Sequence, residues 1–359
     1  MWRATDPPPE VPTGDRLGMI EAMRLPKPRG PVSAALCADL TAGSTLSSRT
    51  LAAAEGLATS ATDPLTDDDL QLSLAICYEL HYRGFDDVDD AWEWSPELLR
   101  VRALLEQRHL AALRELVTPV EVTDEPVDQQ LTAVIDADDG PSLSRYLAKE
   151  GTLEQWREYL TLRSVYHLKE GDPHTWAIPR IGGRAKAAMV EIQADEYGGG
   201  AVERMHSQLF AGMMADLDLD TGYGALWDDA PAVAFTSVNT MSLFGLHRAF
   251  RGACLGHLAA VEMTSSEPSR RYSAGLRRLG FAEHTTVFYD EHVEADAVHE
   301  QIASVDMCGS LVAESPSLAA DVLFGAQCSL ALDGLTAEHL LGAWRAGRSG
   351  LREQDPVAA

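Results

Sequence analysis

The chain contains few cysteines and comparatively few basic residues. Its five cysteines are widely scattered and none forms a CxxC pair, which argues against a disulfide framework and against a thiolate zinc site. There are only 29 lysines and arginines against 55 aspartates and glutamates, so the formal net charge is -26. Because Lys and Arg neutralise phosphate groups, we expect neither nucleic acid nor an anionic membrane surface as a partner.

An apolar leader and an obvious membrane span are also lacking. The chain starts MWRATDPPPEVPTGD, which contains no apolar core of a signal peptide. The most apolar stretch, residues 230–246, includes Thr, Ser and Asn and leads directly into His247, Arg248 and Arg251. This composition favours a buried core helix over a membrane span. We therefore expect a soluble protein of the reducing cytoplasm.

Strand patterns are scarce, whereas helical patterns recur along the chain. No segment alternates convincingly between apolar and polar residues, and β-branched residues do not cluster. We therefore predict an all-α protein. The predicted helices cover about residues 32–55, 66–85, 95–117, 128–137, 142–150, 152–169, 184–217, 230–262, 269–279, 286–312 and 318–346. Proline-rich segments (TDPPPEVP and RLPKPRGP) predict an extended or disordered arm at residues 1–33, before a single helical domain at 34–348 and a tail at 349–359.

One predicted helix carries two histidines and an aspartate on the same face. Since a helix turns about 100° per residue, His292, Asp296 and His299 leave it within about 60° of one another. Asp296 and His299 form an Asp-x-x-His pair, and an earlier helical segment contains the Glu-x-x-His pair Glu203 and His206. Two such pairs on separate helices are typical of di-iron and di-manganese carboxylate bundles. Each pair alone would also fit an ordinary solvated helix face.

A dinuclear site needs more carboxylates than these two pairs supply, because two divalent cations repel each other and bridging carboxylates offset their charge. Glu196 precedes Glu203 by seven residues, and Glu170 ends the helix that finishes SVYHLKE. Imidazole combined with carboxylate suits iron or manganese better than magnesium or calcium. The predicted ligands are Glu170, Glu196, Glu203, His206, His292, Asp296 and His299.

The order of these residues resembles that of the haem-oxygenase-like di-iron oxidases and oxygenases. Here the pattern is Glu170, then Glu196–x6–Glu203–x2–His206, then His292–x3–Asp296–x2–His299. The segments KEGDPHTWAIPRIGGRAKAAMVEIQADEYGGG and ELHYRGFDDVDDAWEW look like the actinobacterial branch described as iron-containing redox enzymes. The motif resemblance covers about residues 150–312, the expected metal-binding core, and a broader likeness extends back to about residue 70.

The resemblance implies a haem-oxygenase-like helical bundle, which is extended here by additional N-terminal helices. It implies two iron ions that cycle between Fe(II) and Fe(III), with manganese as the alternative metal, and no haem. The implied reaction is the O2-dependent oxidation of a small organic substrate through a peroxide that bridges the irons. N-oxygenation, oxidative decarboxylation and C–C cleavage all remain open. The resemblance is also compatible with an external electron donor and with a homodimer.

Two other functions remain open from the sequence alone. A dinuclear hydrolase would use a metal-bound hydroxide and would need no O2. A catalytically idle helical protein would only bind metal or a protein partner. Retained enzymatic turnover with zinc or manganese would distinguish the first from an oxidase, and weak metal binding without O2 chemistry would indicate the second.

Several residues outside the ligand set are predicted to shape a substrate pocket. Tyr197 and Phe288 flank predicted ligands in sequence, and Arg251 is a candidate to hold a substrate carboxylate. His174 lies in a proline break and is expected to cap a helix or line the pocket. The three glycines at 198–200 predict a kink, because each glycine costs about 1 kcal/mol in a helix interior.

Overall fold

The computed structural model describes residues 23–43 and 45–353, without the side chains of residues 294–297. The protein is 72% helical, and the described ranges contain no β-strand. An isolated bridge joins Met23 to Phe85. The prediction of an all-α protein is therefore confirmed.

The helices pack as a bundle, in which neighbours in sequence are often joined by short turns. In chain order they are α1 (Pro31–Ala42), α2 (Ser48–Ala58), α3 (Asp68–Glu79), α4 (Pro96–Leu116), α5 (Val127–Asp136), α6 (Leu143–Lys149), α7 (Leu153–His167), α8 (Asp172–Thr175), α9 (Gly183–Glu196), α10 (His206–Asp216), α11 (Ala232–Leu246), α12 (Arg251–Thr264), α13 (Ser266–Arg278), α14 (Glu283–Gln301), α15 (Ser310–Glu314) and α16 (Ala319–Arg345). A π-helix, Ile302–Gly309, joins α14 to α15 without a break.

Local capping explains several of the observed boundaries. The hydroxyl of Ser95 accepts a hydrogen bond from the backbone N–H of Leu98 at the start of α4. At the start of α7, Thr152 and Gln155 form a reciprocal capping box. Both helices begin within one residue of the predicted positions, because their caps can be recognised in the sequence.

Two of the predicted helices are wrong as continuous elements, and a third is interrupted where its glycines predicted a kink. The segment 32–55 forms two helices, because Gly43 takes a φ of 151° that a side chain would disfavour and Ser47 caps a new helix. The segment 230–262 is divided by a 3-10 turn, Arg248–Phe250, into α11 and α12. The segment 184–217 is divided at Gly198–Gly200, as the predicted kink requires.

The predicted terminal segments fall mostly outside the described residues. Helix α1 already begins at Pro31, so the part of the arm from residue 31 to 33 is helical instead of extended. At the other end, the backbone N–H of Gly350 donates a 2.7 Å hydrogen bond to Glu158 on α7. The start of the predicted tail is therefore attached to the helical domain.

Helices α12 and α16 make an intimate contact at the centre of the bundle. A Cβ added at Gly256 would lie 1.9 Å from the carbonyl oxygen of Val322, and one added at Gly325 would lie 2.0 Å from that of Ala253. The two backbones therefore touch directly where the glycines lie. By length and composition, the helical stretch Pro316–Arg345 could cross a membrane, but the buried core helix of a globular protein passes the same test. The close contact of this stretch with α12 is typical of a core helix.

Candidate metal centre

Side chains from several helix ends surround a small buried pocket. Glu170 lies in the turn after α7, Glu196 is the last residue of α9, and His206 is the first residue of α10. His292 lies in the middle of α14, and Glu262 lies near the end of α12. Glu170, Glu196, Glu262 and His292 line one pocket, and the ligand atoms of Glu170, His206 and His292 all lie within 4.8 Å of one another. These distances suit a shared metal ion.

The hydrogen bonds around His292 determine which of its nitrogens can bind a cation. Its Nδ1–H donates to the carbonyl oxygen of Phe288 at 2.6 Å, which leaves Nε2 as the atom with a lone pair. That Nε2 lies 3.8 Å from Oε1 of Glu170. Oε1 also accepts a 2.8 Å hydrogen bond from Nδ1 of His167, whereas Oε2 of Glu170 is buried and has no hydrogen-bond partner among the described residues. Metal-ligating histidines and carboxylates are commonly held in this way.

Glu196 and His206 form a second close pair in the same region. Oε2 of Glu196 lies 3.1 Å from Nδ1 of His206, yet neither atom has a properly aligned hydrogen bond among the described residues. Burying such atoms without partners costs about 1–3 kcal/mol each. A bound cation would satisfy both of them, together with Oε2 of Glu170. The orphaned oxygens and the mixture of carboxylate and imidazole therefore fit a metal centre.

Charges in the pocket shift the pKa values of its histidines and carboxylates. Burial opposes the charged form of His206, but the adjacent carboxylate of Glu196 outweighs it and raises the pKa of His206. Burial would raise the pKa of Glu170, but His167 and His292 lower it instead. Glu170 is thus ionised at neutral pH, as a metal ligand must be.

His299 is paired with two carboxylates in this structure, one of which lines the pocket. Its Nδ1 lies 3.2 Å from Oε2 of Glu262, and its Nε2 lies 3.0 Å from Oδ2 of Asp195. Burial opposes its charged form, but these two carboxylates raise the pKa of His299 to about 9. Asp296 lies on α14, but its side chain lies outside the described residues. The predicted roles of Asp296 and His299 as ligands stay predictions.

Glu203 is not brought into the pocket in this conformation. The prediction treated Glu196, Glu203 and His206 as members of one helix, and that premise is wrong. Helix α9 ends at Glu196, and Glu203 lies exposed in a 3-10 turn, Val202–Arg204. It is not among the residues that line the pocket, and its role as a ligand stays a prediction.

Two residues of the site were missed or only partly recognised in the sequence. Glu262 is buried in the apolar helix α12, and a single carboxylate in the run ACLGHLAAVEM was the available signal. His174 lines the pocket, as one of its two predicted roles requires, and its Nε2 lies 3.2 Å from Nδ1 of the buried His257. Burial lowers the pKa of His174 to about 4, so it is neutral at physiological pH.

A larger cavity of about 320 Å³ adjoins the pocket, and Glu170 and His292 line both. Phe288 lines this cavity and its ring centroid lies 4.5 Å from that of His292. Neither Tyr197 nor Arg251 lines either cavity. The hydroxyl of Tyr197 donates to Asp172 at 2.8 Å, and Arg251 begins α12, about 16 Å along the helix from Glu262.

The bundle and its buried cluster of carboxylates and histidines define a helical metal-binding protein. Residues 157–334, from α7 to the middle of α16, match the model of a family described as iron-containing redox enzymes. Through these residues the chain belongs to that family, within the haem-oxygenase-like superfamily. A comparison with curated proteins gave no match. The family resemblance inferred from the sequence is thus confirmed, and the family indicates an iron-dependent redox function.

Proposed function

We propose that the protein is a non-haem di-iron enzyme that uses O2 to oxidise a small organic substrate. The observation that supports this most directly is the convergence of Glu170, Glu196, Glu262, His206 and His292, with orphaned oxygen atoms on Glu170 and Glu196. Haem iron takes one or two axial ligands within a flat cavity. A buried cluster of carboxylates and imidazoles instead suits metal ions that the side chains bind directly.

The number of carboxylates favours two ions over one. Three buried carboxylates, from Glu170, Glu196 and Glu262, line one pocket together with the imidazoles of His174 and His292. Placing several anions together in a buried pocket is costly unless cations compensate them. In the proposed centre Glu170, His206 and His292 would hold one ion. Glu196 would hold the other ion, together with Glu262 or with the predicted ligands Asp296 and His299 on α14. Manganese would fit the same donors.

The residues around the ligands hold and shield the centre. His167 fixes Glu170 by a hydrogen bond, and the carbonyl of Phe288 fixes the tautomer of His292. The rings of Phe210 and Phe288 contact His167 and keep water from this side of the site. Bound Fe(II) would supply electrons for the reduction of O2. The substrate would supply the other electrons, and an external donor would restore Fe(II). The adjoining cavity provides a place for that substrate.

Anaerobic loading of the full chain with Fe(II), followed by measurement of bound iron and of O2 uptake, tests the proposal. We expect two irons per chain and O2 consumption that requires bound iron. Glu170→Gln and Glu196→Gln should each lose iron. Glu191→Gln is the matched control, because Glu191 is exposed on the same helix as Glu196.

Three outcomes would contradict the proposal. Failure of the full chain to retain iron through a desalting column would argue against a built centre. Full retention of iron by Glu170→Gln and Glu196→Gln would mean that the metal binds elsewhere. Activity that is supported by zinc or manganese without O2 would indicate the hydrolase alternative.

A further inference from the structure

One face of α7 runs along the larger cavity and ends at the metal pocket. Tyr159, Arg163 and Tyr166 line the cavity at helical spacing, and Glu170, in the turn that follows α7, lines it as well. Arg163 and Glu170 are seven residues apart, which corresponds to a separation of about 10 Å along a helix. The cavity therefore has two distinct ends, one beside Arg163 and one beside the predicted metal ligands.

Aromatic and aliphatic side chains form the walls between these two ends. Tyr272 stacks against Tyr159 with a centroid distance of 5.1 Å and lies 5.1 Å from the ring of Tyr289. Val238 and Met241 from α11 line the same cavity. Ligand cavities of this volume and composition typically bind an apolar body and use a few polar groups to orient it.

Arg163 is the basic group at the outer end. It lines the cavity and pairs with Asp333, whose side chain is 59% exposed, so this end lies near solvent. The Nε atom of Arg163 is buried and has no hydrogen-bond partner among the described residues. A guanidinium presents its donors in a fixed fork that matches a carboxylate, so the unused donor predicts an anionic group beside it.

We propose that this cavity binds an organic carboxylate with an aromatic or aliphatic body. The carboxylate is bound by Arg163, and the opposite end of the molecule, about 10 Å away, lies beside Glu170 and His292. The reaction at that end rests on the proposed function, whereas the binding does not. The carboxylate is thus the group that positions the substrate and is distant from the atom that is oxidised.

A cationic substrate is disfavoured by the same contacts. Asp333, the acidic residue at the outer end that pairs with Arg163, already has its charge compensated. An ammonium group bound there would lie beside the guanidinium and would be repelled by it. A neutral substrate could accept a hydrogen bond from the Nε of Arg163, but this bond would be weaker than the charge-assisted bond to a carboxylate.

Calorimetric titration of the full chain with 4-phenylbutanoate, its amide and 4-phenylbutylamine tests the proposal. These probes share a body of suitable length and differ in the charge of one end. We expect the acid to bind at least about tenfold more tightly than the amide, because a charged hydrogen-bond partner is lost in the amide. In Arg163→Gln this preference should disappear. Arg145→Gln, at an exposed arginine on α6, is the matched control and should retain it.

Equal binding of acid and amide, tighter binding of the amine, or no binding of any of the three would overturn the proposal. An acid preference that survives in Arg163→Gln would overturn the role of Arg163. If Arg163→Gln does not fold, the comparison of the three probes on the unsubstituted chain still tests the proposal.

Performing each titration before and after Fe(II) loading separates this inference from the proposed function. Carboxylate binding by a chain that retains no iron would contradict only the proposed function, and iron-dependent O2 uptake without carboxylate preference would contradict only this inference.

Discussion

The Nδ1 atom of His206 lies 3.1 Å from Oε2 of Glu196, although the two residues are ten positions apart. A straight helix would separate their backbones by about 15 Å. Here α9 ends at Glu196 and α10 begins at His206, and all three glycines between them have positive φ values. The pair is therefore produced by the left-handed turn at Gly198–Gly200, which reverses the chain direction locally.

Replacing Gly198 by alanine should separate this pair. Gly198 has a φ of 64°, and an added Cβ would lie 2.6 Å from the backbone atoms C of Arg204 and N of Met205. These atoms directly precede His206, so relief of the clash displaces its backbone. We expect Gly198→Ala to bind Fe(II) at least about tenfold more weakly, which anaerobic titration measures.

Gly200 provides a matched control for this variant. Its φ is 85°, so alanine is strained there too, but an added Cβ would meet nothing within 4 Å. Gly200→Ala should lower stability slightly, by about 1 kcal/mol, and should leave iron affinity nearly unchanged. Equal loss of iron in both variants would show that backbone strain alone, and not displacement of His206, determines affinity.

Glu262→Gln should weaken iron binding even though Glu262 was not recognised in the sequence. Its carboxylate lies 3.2 Å from Nδ1 of His299 and lines the same pocket as Glu170 and Glu196. Removal of such a partner typically costs about 10–100-fold in metal affinity. Glu262→Asp should recover part of that loss, whereas Glu267→Gln, at an exposed residue on the next helix, should bind iron normally. Unchanged affinity in Glu262→Gln would exclude Glu262 from the centre.

The sequence was sufficient for the fold class and for the helices with visible caps. Ser95 and Thr152 mark the starts of α4 and α7 through local hydrogen bonds that depend on neighbouring residues only. The family resemblance rested in part on two short motifs, Glu196–x6–Glu203–x2–His206 and His292–x3–Asp296–x2–His299, and spacing within such a motif is also a local property. Local information therefore accounts for the correct predictions.

The errors concern features that depend on distant parts of the chain. The sequence placed Glu196, Glu203 and His206 in one helical segment, but the turn at the glycines interrupts it and leaves Glu203 exposed. Glu262 was missed because its role depends on α12 packing beside α14, which no local pattern encodes. Arg163 was overlooked for the same reason, since its cavity is formed by helices far apart in sequence.

The contact of α12 with α16 should not tolerate a side chain at Gly256. An added Cβ would lie 1.9 Å from the carbonyl oxygen of Val322, and neither backbone can yield without moving a helix. We expect Gly256→Ala to lower the free energy of unfolding by about 2–3 kcal/mol or more, measured by urea denaturation. Gly342→Ala on α16 meets nothing within 4 Å and should instead stabilise the helix by about 0.5–1 kcal/mol. Destabilisation of similar size in both variants would contradict the close backbone contact.

His109 should make the stability of the fold depend on pH. It is fully buried, accepts a 3.0 Å hydrogen bond at Nδ1 from the amide of Gln71, and donates from Nε2 to Thr240 at 2.9 Å. Asn239 donates to the side-chain oxygen Oε1 of Gln71 and thereby fixes the orientation of that amide. These contacts admit only the neutral ring, and burial lowers the pKa of His109 to about 4.

The sign of the effect follows from this lowered pKa. Because the unfolded chain takes up the proton near pH 6.5 and the folded chain only near pH 4, stability is complete above about pH 6.5 and is lost as the pH falls. Between about pH 7.5 and about pH 5 the loss due to His109 amounts to roughly 2 kcal/mol. The difference in unfolding free energy between the unsubstituted chain and His109→Gln should shrink by this amount over that range, in parallel urea denaturation series. A constant difference for His109→Gln would mean that His109 is not held neutral by the fold.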